Sequence, residues 1–158
     1  MKLALAILLC GGAPLLAAAQ ACPMLKLGIA GPRKAKNDGV YDVRVAVKNV
    51  GSMAATDATL TVELPPGVLY LTQASKVKGG SVATGFTQAG QTFEWTGINL
   101  NRKGAGLGLK LTVRFGSCAD GKLEMNAFTN VGGQCLASAN PSYSYVEHKK
   151  GWTPCAPP

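Results

Sequence analysis

The side chains able to do chemistry are few. One histidine, His148, stands between Glu147 and the pair Lys149-Lys150, and a lone imidazole in a lysine-rich stretch reads as a solvated group. Eight carboxylates (Asp38, Asp42, Asp57, Glu63, Glu94, Asp120, Glu124 and Glu147) are scattered through the chain. Two acids meeting in space could cleave a glycoside, but nothing in their spacing pairs them. No Gly-x-Ser-x-Gly turn, His-Glu-x-x-His pair or phosphate-cradling glycine loop is present. The cysteines lack a Cys-x-x-Cys pair, so a metal site is not expected either. The expectation is a non-catalytic protein with no cofactor and no metal.

Cations are better represented. Sixteen Lys and Arg face eight Asp and Glu, a formal charge of +8. They gather as Arg33, Lys34 and Lys36, as Lys76 and Lys78, as Arg102 and Lys103, and as Lys149 and Lys150. A basic surface keeps a protein soluble. It can also meet an anionic wall polymer, a sulfated or uronic polysaccharide, or a membrane surface. Arg33, Lys34, Lys36, Arg102 and Lys103 are the expected anion-binding residues, on loops that converge at one end of the fold. Aromatic residues are only 6% of the chain, too few to stack bases, so nucleic acid is not an expected partner.

These loops need elements to hold them. Hydrophobic residues make up 47% and charged residues 15%, a balance that excludes a disordered solvating chain. Apolar residues recur with period two, the mark of half-buried strands. Tyr41, Val43, Val45 and Val47 form one such row, and Ala58, Leu60, Val62 and Leu64 a second. Leu107, Leu109, Leu111, Val113 and Phe115 form a third, and Leu123, Met125, Ala127 and Thr129 a fourth. Shorter rows are Leu25, Leu27 and Ile29, then Phe93 and Trp95, then Tyr143 and Tyr145. Turn residues punctuate them at Asn37-Asp38-Gly39, Asn49-Val50-Gly51, Pro65-Pro66-Gly67, Gly79-Gly80, Lys103-Gly104 and Asp120-Gly121. Seven or eight short strands between such turns predict an all-β, antiparallel sandwich.

The compartment follows from the chain's start and its cysteines. Lys2 precedes apolar runs at residues 3–9 and 13–19, and Ala19-Gln20-Ala21 supplies a small-x-small cleavage site before Cys22. Gly11, Gly12 and Pro14 interrupt the apolar stretch, which argues against a membrane anchor. The division predicted is a signal peptide at 1–21, a sandwich domain at 22–147 and a basic then Pro-rich tail at 148–158. Removing 21 of 158 residues leaves a secreted chain of one domain's length, with no transmembrane segment expected in it. It keeps four cysteines, Cys22, Cys118, Cys135 and Cys155, an even number in an oxidising compartment. Of three connectivities, Cys118–Cys135 is favoured because the two bracket one strand, and Cys22–Cys155 because it joins the ends.

The order of turns and strands also resembles a known family. Val47-Lys48-Asn49-Val50-Gly51 followed by Leu64-Pro65-Pro66-Gly67-Val68 is similar to the immunoglobulin-like conserved-repeat domain of unknown function found in secreted and cell-surface microbial proteins. Phe93-Glu94-Trp95, the run at 106–115 and Leu123 to Ala127 fit its later strands, so the resemblance covers about residues 25–131. It implies a structural or adhesive module, with a cell-surface or matrix protein as partner. A binding protein for an anionic polysaccharide is the alternative. Some members of such families carry a Lys–Asn isopeptide; the matching positions here are Ile29, Val62 and Met125, all apolar, so no crosslink is expected. A shift in register would bring Lys26 or Asn126 back into contention.

Overall fold

A computed structural model describes residues 21–148 and Trp152, without the side chains of residues 83 and 84. The predicted signal up to residue 20, Lys149, Lys150, Cys155 and the rest of the Pro-rich end lie outside the described residues. The alternating rows become strands because an extended chain puts successive side chains on opposite faces, letting one face be buried. The strands are β1 (Leu25–Ala30), β2 (Lys34–Lys36), β3 (Val40–Asn49), β4 (Ala55–Glu63), β5 (Val68–Lys78), β6 (Gly80–Ala89), β7 (Thr92–Leu100), β8 (Gly106–Phe115), β9 (Lys122–Val131), β10 (Cys135–Ser138) and β11 (Ser142–Glu147).

Four strands form one antiparallel sheet in the order β1-β3-β8-β5. The second sheet runs β2-β11-β9-β4-β7-β6, with β10 added to β9. Strands β10 and β11 share one side of β9, pairing with its last and first residues respectively. Val43, Val45 and Val47 of β3 and Leu107, Leu109, Leu111 and Val113 of β8 meet Leu60, Val62, Phe93, Ile98, Met125 and Ala127 of the second sheet in a single core. This is the predicted immunoglobulin-like sandwich, with eleven strands where the alternation marked seven or eight. The additional ones are the short β2 and β10 and the long β5 and β6.

Two buried asparagines fasten the ends of the sandwich. At one end Asn49 donates through Nδ2 to the carbonyls of Met53 (2.7 Å) and Leu100 (3.1 Å) and accepts at Oδ1 from the Gly51 amide (3.0 Å). It thereby ties β3, in the first sheet, to the end of β7, in the second. At the other end Asn37 Nδ2 faces the carbonyls of Gly116, Ser117 and Ala119 at 2.8–3.2 Å, holding the β8–β9 loop against the β2–β3 turn.

The disulfide pairing differs from the one expected. Cys22 is bonded to Cys135, with Cα atoms 5.5 Å apart and a sequence separation of 113. Cys118 is also disulfide-bonded. Bracketing a strand is the reason Cys118 and Cys135 do not pair. Strand β9 has ten residues and spans roughly 30 Å, whereas a disulfide needs Cα atoms within about 7 Å. Lys26 and Asn126 lie on the outer faces of opposite sheets, pointing apart, and Ile29, Val62 and Met125 belong to the core or pack against it.

Two outcomes follow for stability. Cys22→Ser with Cys135→Ser opens a closure of 113 residues and lowers the unfolding free energy by about 5 kcal/mol in the chain-entropy account, readable from urea denaturation. Asn49→Ala removes the side chain's hydrogen bonds to two carbonyls and from the Gly51 amide, which keeps only its longer bond to the Met24 carbonyl, and costs on the order of 2–3 kcal/mol, read from the same titration.

Candidate functional site

On the β1-β3-β8-β5 sheet the residues that alternate with the core form an outer face. Cross-strand register arranges this face in rows. The first row is Lys26, Lys48, Gly106 and Lys78; the second is Gly28, Ala46, Gly108 and Lys76; the third is Ala30, Arg44, Lys110 and Ala74. Arg114 lies further along β8, paired with Val40. Seven cations therefore share this face with one acid, Asp42. Five of the chain's eight acids (Asp57, Glu63, Glu94, Glu124 and Glu147) sit on strands of the other sheet.

The arrangement is costly to the fold. Lys26 stands directly opposite Lys48, and Arg44 opposite Lys110, and like charges so placed destabilise a sheet. Asp42 offsets this only at Lys110, at 3.5 Å, while also accepting a hydrogen bond from Thr112 (3.1 Å). Among the described residues no carboxylate lies within ion-pair distance of the other six cations. Lysine on an edge strand guards against unwanted pairing, which accounts for Lys26, Lys76 and Lys78. It does not account for Arg44, Lys48, Lys110 and Arg114, which stand on the central strands β3 and β8.

The middle row is a floor. A Cβ at Gly28 would meet nothing within 4 Å, and one at Gly108 only the Lys76 carbonyl at 3.9 Å. Glycine inside a strand weakens it by about 0.5–1 kcal/mol relative to alanine, and here internal packing does not require it. Over its β3–β8–β5 part lie two depressions of about 620 Å³ and 410 Å³, which share Ala46, Lys76 and Gly108; Gly28 lines neither. The face is thus a shallow trough with cationic banks.

The residues singled out from sequence divide between the two ends of the molecule. Arg102 and Lys103, in the β7–β8 turn, line a further depression of about 280 Å³ with Lys78, so they extend the basic face. Arg33, Lys34 and Lys36 lie beside the β2–β3 turn, which hydrogen-bonds to Phe115 at the far end of the β3–β8 ladder. The ladder is ten residues long, roughly 30 Å, so the two groups do not converge at one end as expected. Lys34 is moreover engaged by Glu147: their hydrogen bond and mutual charge hold the lysine above its ordinary pKa and the carboxyl below its own. Lys26, Arg44, Lys48, Lys110 and Arg114 escaped the sequence reading because they are isolated along the chain. Only strand pairing assembles them.

Two other places hold chemistry-bearing groups. Between the edge strands β5 and β6 a cleft of about 310 Å³ is lined by Trp95, Phe86, Val82, Leu107 and Leu109, and Trp95 Nε1 donates to Gln73 Oε1 across it (2.7 Å). Tyr70 packs nearby on Phe86 and Phe93, and burial pushes its hydroxyl above the usual tyrosine range. His148 is not the solvated group expected. Its Nδ1 lies 2.7 Å from Asn37 Oδ1 and its Nε2 2.6 Å from Asp120 Oδ1, and its ring stacks on Trp152 at 3.6 Å. Trp152 in turn donates to the Ser117 carbonyl (2.9 Å). These contacts clasp the end of the described chain onto the β8–β9 loop. Among the described residues no group of three or more His, Cys, Asp or Glu side chains is placed to hold a metal ion.

No protein-family model matches the chain, and no curated protein matches it in sequence. Solved structures match in fold. The pilus backbone protein RrgB of Streptococcus pneumoniae aligns at 14% identity and a TM-score of 0.52, over 70% of this chain and 32% of that one. The major pilin SpaD of Corynebacterium diphtheriae aligns at 13% identity and a TM-score of 0.54, over 77% and 35%. A cohesin module from a Clostridium perfringens family 33 glycoside hydrolase aligns at 7% identity and 0.52, over 80% and 99%. The chain spans about a third of the length of the two pilus proteins. At these identities the likeness is one of fold.

The His148 clasp has a direct readout. His148→Ala removes two hydrogen bonds and the stacked partner of Trp152, lowering stability by about 1 kcal/mol. Acrylamide then quenches a larger share of the tryptophan emission, since Trp95 stays buried while Trp152 loosens.

Proposed function

We propose that this protein is a secreted, non-catalytic immunoglobulin-like module with a structural or adhesive role at the cell surface or in the extracellular matrix. It attaches to its surroundings through the basic outer face of the four-stranded sheet. The single observation that carries this reading is the pairing of like charges across β1, β3 and β8 on a sheet whose floor contains glycines that packing does not need. Proteins that lose stability at a surface without structural return commonly do so for function. The partner is an anionic component of the surface or matrix, a polysaccharide or an acidic protein, and not nucleic acid.

Other observations support parts of this reading. The Cys22–Cys135 disulfide fits an oxidising compartment, as does a cleaved signal at 1–21. The sandwich domain then occupies 22–147 and the tail 148–158, with His148 and Trp152 folded back onto the domain. No helix among the described residues is long and apolar enough to cross a membrane. The fold shared with a pilus backbone and a major pilin favours a structural part over an enzyme. The conserved-repeat family is the finer assignment, and its Asn-x-Gly element has a physical role here in the Asn49 clasp.

The test is capture of the secreted protein on anionic and neutral glycan surfaces, at low and high salt. Wild type is retained by the anionic surface at physiological salt and released at high salt, because exposed charges are screened beyond about 8 Å at physiological ionic strength. Replacing Lys26, Arg44, Lys48 and Lys76 together by Gln weakens capture by about tenfold or more and flattens its salt dependence, as expected when fewer counterions are released. Equal retention of the fourfold variant would remove the basic face from the account.

A further inference from the structure

The geometry points to a more specific occupant: the trough across β3, β8 and β5, which the row of minimal side chains continues onto β1, is the seat of a linear polyanionic glycan, lying across the strands. This rests on the basic face being the attachment surface, and adds the ligand's chemistry and its direction. Gly28, Ala46 and Gly108 form a continuous row of minimal side chains perpendicular to the strands. Lys26, Lys48 and Lys78 stand on one side of that row, Arg44 and Lys110 on the other. Rows on one face of a strand are about 7 Å apart, so the banks are separated by roughly 14 Å. That gap admits one extended chain, with its charged groups in reach of lysine and arginine tips on both sides. Lys76 stands at the β5 end of the floor, and the β1 end is open beyond Gly28.

The same features disfavour other occupants. The three rows carry no aromatic ring, so there is nothing on which nucleobases could stack. Protein interfaces place aromatic and apolar anchors at their centre and are depleted in lysine there. Here the centre is glycine and alanine flanked by lysine and arginine. An anionic lipid surface would engage the cation tips and leave the floor empty. Glycine in a strand interior marks close approach by another chain, and only a chain that enters the trough makes use of Gly28 and Gly108.

The experiment fills the floor without altering charge. The secreted protein, its Gly28→Val, Gly108→Val and double variants, and the fourfold Gln variant are titrated with dextran sulfate, polygalacturonate, neutral dextran and phosphatidylglycerol vesicles. Nothing inside the protein stands within 3.4 Å of the added Cβ atoms, so thermal midpoints are not lowered. The proposal expects the wild type to bind the two charged polymers and not dextran. The floor-filled variants bind those polymers about tenfold or more weakly, with the salt dependence of wild type, since every cation remains. Relative affinity for dextran sulfate and polygalacturonate assigns the anion as sulfate or carboxylate. Undiminished binding by the floor-filled variants overturns the trough; if the Gln variant still fails to bind, the basic-face reading survives alone. Tighter binding of vesicles than of either polymer, or occupation of the face by the acidic sheet of a second copy in sedimentation, also overturns it. Should the double variant fail to fold, Gly108→Val alone, at the glycine common to both depressions, gives the same reading.

Discussion

The register of β3 on β8 is the constraint on which most of this molecule depends. It places Val43 opposite Leu111, Val45 opposite Leu109 and Val47 opposite Leu107 on the face that becomes the core. The same ladder places Arg44 opposite Lys110 and Ala46 opposite Gly108 on the other face. Side chains alternate with a period of two, so a slip of one residue would exchange the faces of a strand. Lysines and arginines would then enter the core unpaired, which no sandwich of this size could offset. Core and trough are therefore two readings of one register. The burial of the valines and leucines is what holds the cations in their unfavourable proximity.

The rest of the fold makes that proximity tolerable. Asn49 and Asn37 fasten opposite ends of the sandwich, each meeting several backbone groups near the core. Their value lies in what would follow their loss, since a buried carbonyl or amide without a partner costs more than a hydrogen bond contributes. Cys22–Cys135 ties the start of the described chain, which enters the first sheet, to β10 on the second. The bond thus works between sheets, where the hydrogen-bonded ladders do not reach. Hydrogen bonds within sheets, an apolar core between them and covalent or asparagine links at the ends are separate supports. Repulsion on one outer face opposes only the pairing of β1, β3 and β8 and leaves the core and the end links untouched.

How much of this was legible in the sequence depended on whether a feature was local. The rows through Val43, Leu60, Leu109 and Met125 declared themselves, because alternation is local and each lies on a strand with one buried face. Strands β5 and β6 did not. Strand β5 has an irregularity between Tyr70 and Thr72 that breaks its period, and its later inward positions carry Gln73 and Ser75. Those residues border an open edge, where burial no longer demands an apolar side chain. The cysteine pairing failed on a global quantity, the length of β9, that proximity in sequence does not express. His148 was misjudged for a related reason, as its partners Asn37 and Asp120 lie 111 and 28 residues away.

The trough belongs to the same class of feature. Its cations are spread from residue 26 to residue 110, and no window of the chain contains a motif. What marks the site is a conflict between levels of organisation: a sheet otherwise well specified carries like charges in register and glycines in strand interiors. Solubility alone would explain scattered lysines, but it would be served better by mixed signs, and this chain keeps most of its strand-borne acids on the other sheet. Such segregation gives the molecule a directed field, so that an anionic partner meets one face in preference to the other before any contact forms. Charge then orients the encounter, and the glycine floor decides what shape of anion can stay.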